Sequence, residues 1–331
     1  MTMLPVPNLD EDQIVRVVTG LRPCRRGGLR IEIERLGSTT VVHNYGQGGC
    51  GVTIGFGCAS LAADLVESIS SPPETVVVLG GGVVGLTAAD ELLRHGFGVR
   101  IVADKWLSQT TSNIAGAIWL PTGLDVPSTP EARERFDRVQ AISRARLAEI
   151  DRARFGVETL PVYEPEYAEH HAEYYRPGVL EPPVACGLLP LAGAPRQGRV
   201  FSTDFIHTPR FLRELRADIV ARGALLETAR IASIKDVHDL NARVVVNCLG
   251  LGSGEVFGDT AMFPAYGLLV HLKPQALGYI VHDGYKYMFP REDALLLGGC
   301  FRPDVWSLEP DADLAREIVT HHRRFFGLEE S

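Results

Sequence analysis

The sequence predicts a mixed α/β (α+β) protein. It should hold one parallel-sheet domain and a second domain with a large mixed, mainly antiparallel sheet. Three observations predict this. Residues 75–104 read as strand, tight turn, helix and strand, with glycines at 80, 82 and 85 and an acid at 104. A second valine-rich strand, Arg243–Asn247, also runs into a glycine-rich stretch. Finally, Pro264–Leu272, Tyr279–His282, Tyr287–Pro290 and Ala294–Gly299 read as strands, with turns at Lys273-Pro274 and Arg291-Glu292-Asp293.

The 75–104 stretch carries the most information. Thr75–Leu79 is a β-branched apolar run, suited to a strand buried on both faces. Gly80, Gly82 and Gly85 have the spacing G-x-G-x-x-G. The first allows the tight turn, the second lets a pyrophosphate approach the backbone, and the third lets helix and sheet pack closely. The helix from Val83 to about Arg94 aims its N-terminal N–H groups and partial positive charge at that phosphate. Val99–Ala103 is the next strand, and Asp104 ends it where an acid accepts from a ribose hydroxyl. Strand, helix, strand and acid in this order mark a dinucleotide site.

Bulk properties narrow the class. The 331 residues suffice for two ordinary domains, and 45% apolar with 22% charged residues is a globular mix. A net charge of −8 argues against a nucleic-acid partner. The six cysteines (Cys24, Cys50, Cys58, Cys186, Cys248, Cys300) are scattered without C-x-x-C. That pattern fits free thiols in a reducing, cytoplasmic setting better than disulfides or zinc. No apolar run is long enough to span a bilayer, and no basic-then-apolar leader is present. No metal site is expected; His170-His171 lacks a third ligand at metal spacing.

Along the rest of the chain, acidic Asp10-Glu11-Asp12 suggests a short helix to about Val18. A basic turn-rich stretch follows at 19–26, then strands at Leu29–Arg35 and Thr39–Val42. Between Gly46 and Gly55 lie five glycines in ten residues, a segment whose backbone can lie flat on a planar or anionic ligand. A helix is expected over Cys58–Ile69. Residues 110–121 mix small hydroxyl residues with glycine and lie near strand carboxyl ends, where ligands bind. Ser128, Thr129 and Pro130 start a long helix to about Ala153. Arg199–Phe205 and Leu225–Ile234 read as strands, 208–221 as a helix, and Asp311 to about Phe326 as a terminal helix.

Six segments together resemble the D-amino-acid oxidase family, which includes the glycine oxidases. They are Val77–Leu86, Thr110–Pro121, Val245–Gly252, Tyr287–Phe301, Gly20–Arg25 and His43–Gly57. The most specific is His-Asn-Tyr-Gly-x-Gly-Gly-x-Gly-x-Thr, residues 43–53. The resemblance implies non-covalent FAD on a Rossmann-type domain and a substrate on a second domain. It also implies a different order: the family puts the dinucleotide strand first and the Gly-Leu-Arg-Pro and His-Asn-Tyr-Gly segments last. Here those two come first, as in a circular permutant joined through Ser70–Glu74. New ends at exposed loops are physically tolerable. The expected boundaries are 26–123 with 196–254 for the FAD-binding domain, and 1–25, 124–195 and 255–331 for the substrate domain.

The implied activity is that of an FAD-dependent amino-acid (amine) oxidase. Hydride passes from the substrate Cα to flavin N5, the imine hydrolyses, and O2 becomes H2O2. The substrate would be a D-amino acid, glycine or N-substituted glycine. The alternatives are a flavin dehydrogenase with another electron acceptor and a non-catalytic relative. Most of the catalysis is orientation. The substrate carboxylate calls for a fixed cation, best an arginine fork. The resemblance places that arginine at Arg25, for which the plain alternative is a structural salt bridge. It places a carboxylate-binding tyrosine at Tyr287, while a second family tyrosine falls on Asp283. Expected FAD contacts are Gly80, Gly82, Val83 and Val84 at the pyrophosphate and Asp104 at the ribose. Thr110, Thr111, Ala115, Gly116 and Ala117 should lie along the ring. Gly48, Gly49, Gly51, Val52 and Thr53 should lie at its O2 edge, with Gly250 in the Val245–Gly252 segment. Cys50, where the family has an aromatic, raises a covalent flavin link as a minor alternative. Self-association is left open.

Overall fold

The computed structural model describes residues 3–126, 128–168 and 171–328. The first elements are β1 (Ile14–Arg25), β2 (Arg30–Leu36), β3 (Thr39–Tyr45), α1 (Gly51–Glu67), β4 (Thr75–Leu79), α2 (Val83–Arg94) and β5 (Gly98–Ala103). Next come α3 (Thr111–Ile114), α4 (Pro130–Glu149), α5 (Arg152–Phe155), β6 (Val157–Pro165), β7 (Val184–Leu188), β8 (Gln197–Ile206) and α6 (Thr208–Ala221). The chain continues with β9 (Leu225–Thr228), α7 (Ile234–Asp239), β10 (Val244–Asn247), α8 (Gly252–Phe257) and β11 (Met262–Leu272). It ends with β12 (Ile280–Asp283), β13 (Lys286–Arg291), β14 (Ala294–Gly298), β15 (Arg302–Pro303) and α9 (Ala312–Phe325). These elements divide into two compact units.

One unit comprises Arg22–Val157 and Thr208–Pro264. Its sheet has the order β2-β3-β10-β4-β5-β9. Every neighbouring pair is parallel except the β2–β3 hairpin. The central strands are valine-rich because both faces are covered. Val41, Val77, Leu79, Val102 and Val245 meet Val237 of α7 and Val256 of α8 on one side. Helices α1, α2 and α4 pack together through glycines. A Cβ on Gly55 would stand 3.2 Å from Thr87 Oγ1, and one on Gly57 would stand 2.0 Å from the Val139 carbonyl oxygen. Where α2 and α4 meet, Arg146 bonds Asp90 at 2.8 Å, and Arg222 reaches the same carboxylate.

The other unit comprises Met1–Leu21, Glu158–His207 and Ala265–Ser331. It is built on the sheet ordered β1-β11-β14-β13-β12-β6-β8-β7, with β15 on β11. Period-2 alternation splits its residues between two faces. Val281, Met288, Leu295 and Leu297 join Leu314, Ile318 and Phe325 of α9 in a core. The opposite face therefore carries Ile280, His282, Tyr287, Phe289 and Leu296.

Several elements depart from the sequence expectation. Residues 14–18 are strand, since Val15, Val17 and Val18 extend β1; the acidic turn amounts to one 3-10 turn, Glu11–Gln13. Helix α1 starts at Gly51, seven residues before the expected Cys58, because Gly51 and Gly55 serve helix packing. The strand expected over 225–234 stops at Thr228, and Ser233 caps α7 through a reciprocal bond with Asp236. The glycine stretch after Asn247 winds into α8. Unit boundaries shift as well. Residues 124–157 join the parallel-sheet unit, since α4 packs on α1, and residues 22–25 and 255–264 do too. Residues 196–207 go to the other unit with β8. His170 lies outside the described residues.

Two predictions follow from this packing. Gly57→Ala forces a methyl into the α4 backbone and should cost about 1–3 kcal/mol of stability, read by urea unfolding. Burial lowers the pKa of His271 (with Arg291 and Arg16 adding to it) and of His322 to about 4. A lowered folded-state pKa means the unfolded chain binds more protons. The stability is therefore whole above pH 6.5 and is lost as pH falls toward 4, by about 1.4 kcal/mol per unit for each histidine. Replacing His271 with Leu should flatten that slope in unfolding measurements between pH 7 and 4.

Candidate active site

The parallel-sheet unit gathers most of the expected cofactor residues. Gly80 has φ +110°, and a Cβ there would stand 2.5 Å from the Cys248 carbonyl oxygen. A Cβ on Gly85 would stand 1.9 Å from the Gly80 carbonyl oxygen. Only glycine lets β4 turn this tightly into α2. At the helix start, Val83 N–H donates to Ser112 Oγ at 3.0 Å, which sets α3 beside the turn. Asp104 is exposed just past β5.

The glycine-rich segment closes on the same turn. A Cβ on Gly51 would lie 3.4 Å from Val83 Cγ1 and 3.5 Å from Val84 Cγ2. The starts of α1 and α2 are therefore adjacent, and the positive ends of both helix dipoles share one place. The preceding loop is fixed by its neighbours. Gly48 N–H donates to the Pro23 carbonyl at 3.2 Å, Gly49 N–H to the Gly123 carbonyl at 3.1 Å, and Thr53 Oγ1 to the Leu120 carbonyl at 3.3 Å. Val52 is in the first turn of α1. Thr110 is buried, its hydroxyl donating to the Leu107 carbonyl, and Thr111 begins α3. Thr208 Oγ1 of α6 donates to the Ala115 carbonyl at 3.0 Å, anchoring the Ala115-Gly116-Ala117 corner. Gly250, with φ +58°, packs on Pro23.

The residues fit FAD. A turn that tolerates no Cβ, two adjacent helix N-termini and an exposed acid after the next strand suit a pyrophosphate, a ring edge and a ribose. Cys50 does not suit a covalent link. It is fully buried, its Sγ meets the Gln47 carbonyl at 3.0 Å, and burial pushes its thiol well up. Burial likewise raises Cys58 to about 12 and Cys24 to about 11. These thiols stay protonated and unreactive.

Arg25 is ion-paired. Its Nε meets Asp259 Oδ2 at 2.8 Å, and its Nη1 donates to the Gly28 carbonyl at 3.3 Å. Asp259 also accepts from Tyr45 Oη at 2.7 Å and from Ala261 N–H at 3.0 Å. Burial alone would raise the Asp259 carboxyl, but the bonds from Arg25, Tyr45 and Ala261 hold it below the usual range. Arg25 is thus the structural salt bridge, joining β1 to the segment after α8. Arg22 is the arginine of this stretch that reaches the glycine-rich loop. Its Cδ lies 3.4 Å from a Cβ position on Gly49, against the glycine-rich loop. Strand alternation was the available signal: 22 and buried Cys24 share a face of β1, and 25 is on the other.

Deeper in this unit, Asn247 ties β10 to β3. Its Nδ2 donates to His43 Nδ1 at 3.1 Å, and its Oδ1 accepts from Ser253 Oγ and Leu249 N–H at 3.1 Å. His43 Nε2–H then donates to Glu34 at 2.8 Å. Burial lowers the His43 pKa, so the ring is neutral.

In the antiparallel-sheet unit, Tyr287 is half-buried and stacks on Phe289, centroids 4.4 Å apart. Its ring covers Gly298, where a Cβ would lie 2.1 Å from a ring carbon. Asp283 points to the other face, meeting His321 of α9 at 3.4 Å and Tyr167 Oη at 3.2 Å. Tyr285 is exposed and stacks on Phe301.

A Rossmann-type sheet with a phosphate turn and a second helix start beside it defines a dinucleotide-dependent oxidoreductase class. Comparison with known proteins agrees. The family model "DAO: FAD dependent oxidoreductase" matches residues 75–330. A D-amino-acid oxidase of Rubrobacter xylanophilus is 32% identical over 272 residues, 76% of this chain and 76% of that one. One of Streptomyces coelicolor is 30% identical over 250 residues, 74% and 75% of the two chains. Human D-aspartate oxidase is 28% identical over 261 residues, 74% of each. The glycine oxidase structure from Bacillus cereus shares the fold, with TM-score 0.56, 16% identity, and 75% and 79% of the chains covered. The chain belongs to the DAO family of FAD-dependent oxidoreductases, and FAD is its cofactor.

Among the described residues, no group of three or more His, Cys, Asp or Glu is placed to hold a metal ion. No helix there is long and apolar enough to cross a membrane. Gly80→Ala should abolish tight FAD binding, since the turn needs both its positive φ and the missing Cβ. Flavin fluorescence titration measures this; unchanged affinity would count against the turn as the pyrophosphate site.

Proposed function

We propose that the protein is an amino-acid oxidase that uses O2 and releases H2O2, with a D-amino acid or a related small amino acid as substrate. The observation that carries it is the meeting of the 46–53 segment with the 80–85 turn in one unit. The family resemblance in sequence puts the first at the ring edge and the second at the phosphates. Bound FAD supplies the acceptor for the substrate hydride. The protein supplies orientation and charge. The starts of α1 and α2, with the N–H groups of Gly51 and Val52, favour negative charge at the ring's O2 edge. The Gly80–Gly82 turn and Val84 hold the pyrophosphate, with Val83 anchored beside them on Ser112, Asp104 holds the ribose, and Thr110, Thr111 and 115–117 flank the ring.

Arg22 takes the carboxylate-binding role in place of Arg25. Its position against the glycine-rich loop supports this, and Arg25 is already engaged by Asp259. Tyr287, its ring held by Phe289 and Gly298, keeps the tyrosine role that the family resemblance gives it. The six free cysteines support a reducing, cytoplasmic location.

The order of the chain supports a circular permutation. The family match begins at residue 75, yet β2, β3 and α1, all before it, complete the same unit. Arg323 bonds both the Leu9 and Leu328 carbonyls, at 3.2 and 3.1 Å, so the two ends of the described chain lie together. A gene rearranged to start at Thr75, with residues 1–70 after residue 328, should fold and bind FAD.

The purified protein should be yellow, and a D-amino acid should bleach it without oxygen and yield peroxide with it. Bleaching without peroxide would favour a dehydrogenase; no bleaching by any amine would end the oxidase reading. Arg22→Ala should raise KM by about 100-fold, the loss of a charged carboxylate contact. Arg25→Ala should lower Tm and leave KM within a few-fold.

A further inference from the structure

The oxidase reading leaves the substrate's side chain unnamed, and the surroundings of Tyr287 bear on it. Tyr287 pairs with Gly298 across the β13–β14 ladder. Its ring covers Gly298, and its hydroxyl reaches on over Gly299, where a Cβ would lie 2.9 Å from Oη. Tyr285 and Phe301 take the next step in the same direction. Tyr285 precedes Tyr287 by two residues, and Phe301 follows Gly299 by two. Their rings stack, with centroids 5.7 Å apart and an interplanar angle of 28°.

Both tyrosines face away from α9. Lys286 stands between them and bonds Glu317 of α9 at 2.8 Å. Alternate residues of an extended strand take opposite faces, so Tyr285 and Tyr287 share the other one. Cys300, between Gly299 and Phe301, packs against the core under α9, which turns Phe301 the same way as the tyrosines. The stacked pair is not a core contact. Tyr285 keeps 53% of its surface exposed, and Phe301 is only half-buried. An aromatic ring held in place by a stack yet left open to solvent is a feature that burial does not account for. The cations next to the two rings in sequence are engaged, Lys286 by Glu317 and Arg302 by Asp311, each at 2.8 Å. Neither is left to pair with an acidic side chain.

We propose that Tyr285 and Phe301 form the wall on which the substrate side chain lies, and that the substrate is a D-amino acid with an aromatic side chain. This rests on the oxidase reading, with the substrate carboxylate at the Tyr287 hydroxyl. Two residues of extended chain span about 6.5 Å, so Phe301 starts about that far from Gly299 and the hydroxyl above it. In the substrate, Cα is one bond from the carboxyl carbon. An alanine side chain ends one bond further on and falls short of the pair. A benzyl, phenol or indole group covers the remaining distance. It brings its ring to about 4.5–7 Å from the pair, the separation at which aromatic rings attract in offset or edge-to-face order.

The test compares D-phenylalanine with D-alanine in the holoenzyme and in its Tyr285→Ala, Tyr285→Phe and Phe301→Leu variants. Wild-type kcat/KM should favour D-phenylalanine by about tenfold or more. Y285A and F301L should each lower the D-phenylalanine value about tenfold and leave D-alanine within about twofold, while Y285F keeps the wild-type ratio. Binding without turnover gives a second readout. 3-Phenylpropanoate should perturb the spectrum of the bound flavin at lower concentration than propanoate does, and Y285A should close that gap. A wild type that prefers D-alanine, an equal loss for both substrates in Y285A, or an unchanged ratio there would overturn the proposal. If F301L fails to fold, the two Tyr285 variants decide, since that side chain is at the surface. A wild type that D-alanine bleaches without selectivity for D-phenylalanine fails this proposal alone. A wild type that no amine bleaches fails the oxidase reading itself, and the two carboxylates then decide whether the wall binds a ring.

Discussion

The close approach of α1 and α2 is the constraint on which the parallel-sheet unit depends. Gly51 and Gly55 face Val83, Val84 and Thr87, and Gly85 sits under the Gly80 carbonyl. Side chains at these positions would push the helices apart and separate their N-termini. Because there are none, two sets of helix N–H groups and two dipole ends converge beside the strand carboxyl ends. A glycine-rich segment can be read as flat backbone for a ligand. In this fold part of it serves the packing of two helices, and the ligand-facing property follows from that packing.

Charge is used structurally at the edges of the same unit. Asp259 holds Arg25, Tyr45 and its own turn, while Arg30 bonds Tyr45 and Glu32. This network fixes the ends of β1, β2 and β3 where the chain enters the glycine-rich loop. Arg22 is therefore delivered by a strand whose end is clamped three residues later. Inside, the Glu34–His43–Asn247–Ser253 chain joins β3, β10 and α8 without an unpaired charge at its centre. Networks of this kind fix one arrangement, because any partly satisfied alternative leaves a buried polar group exposed to a large penalty.

The antiparallel-sheet unit works by separating its faces. One face is an apolar core under α9, and the other carries Tyr287, His282, Phe289, Glu164 and Arg199. Period-2 alternation decides which residues share the second face, so Asp283 and Tyr287, four residues apart across a turn, end on opposite sides.

The sequence by itself determined the βαβ unit, its phosphate turn and the resemblance to an FAD family. Those features are local: a short valine run, glycines at fixed spacing and an acid at the next strand end each act within about 30 residues. It also singled out Tyr287 and the 43–53 segment as candidates. Only the tertiary structure decided that Arg25 is an ion-paired clamp while Arg22 meets the loop, since their difference rests on Asp259, more than two hundred residues away in the chain. The same holds for the start of α1 at Gly51 and the membership of residues 124–157. Both are set by what packs against a glycine, and a sequence does not print the identity of a neighbour that only folding brings near.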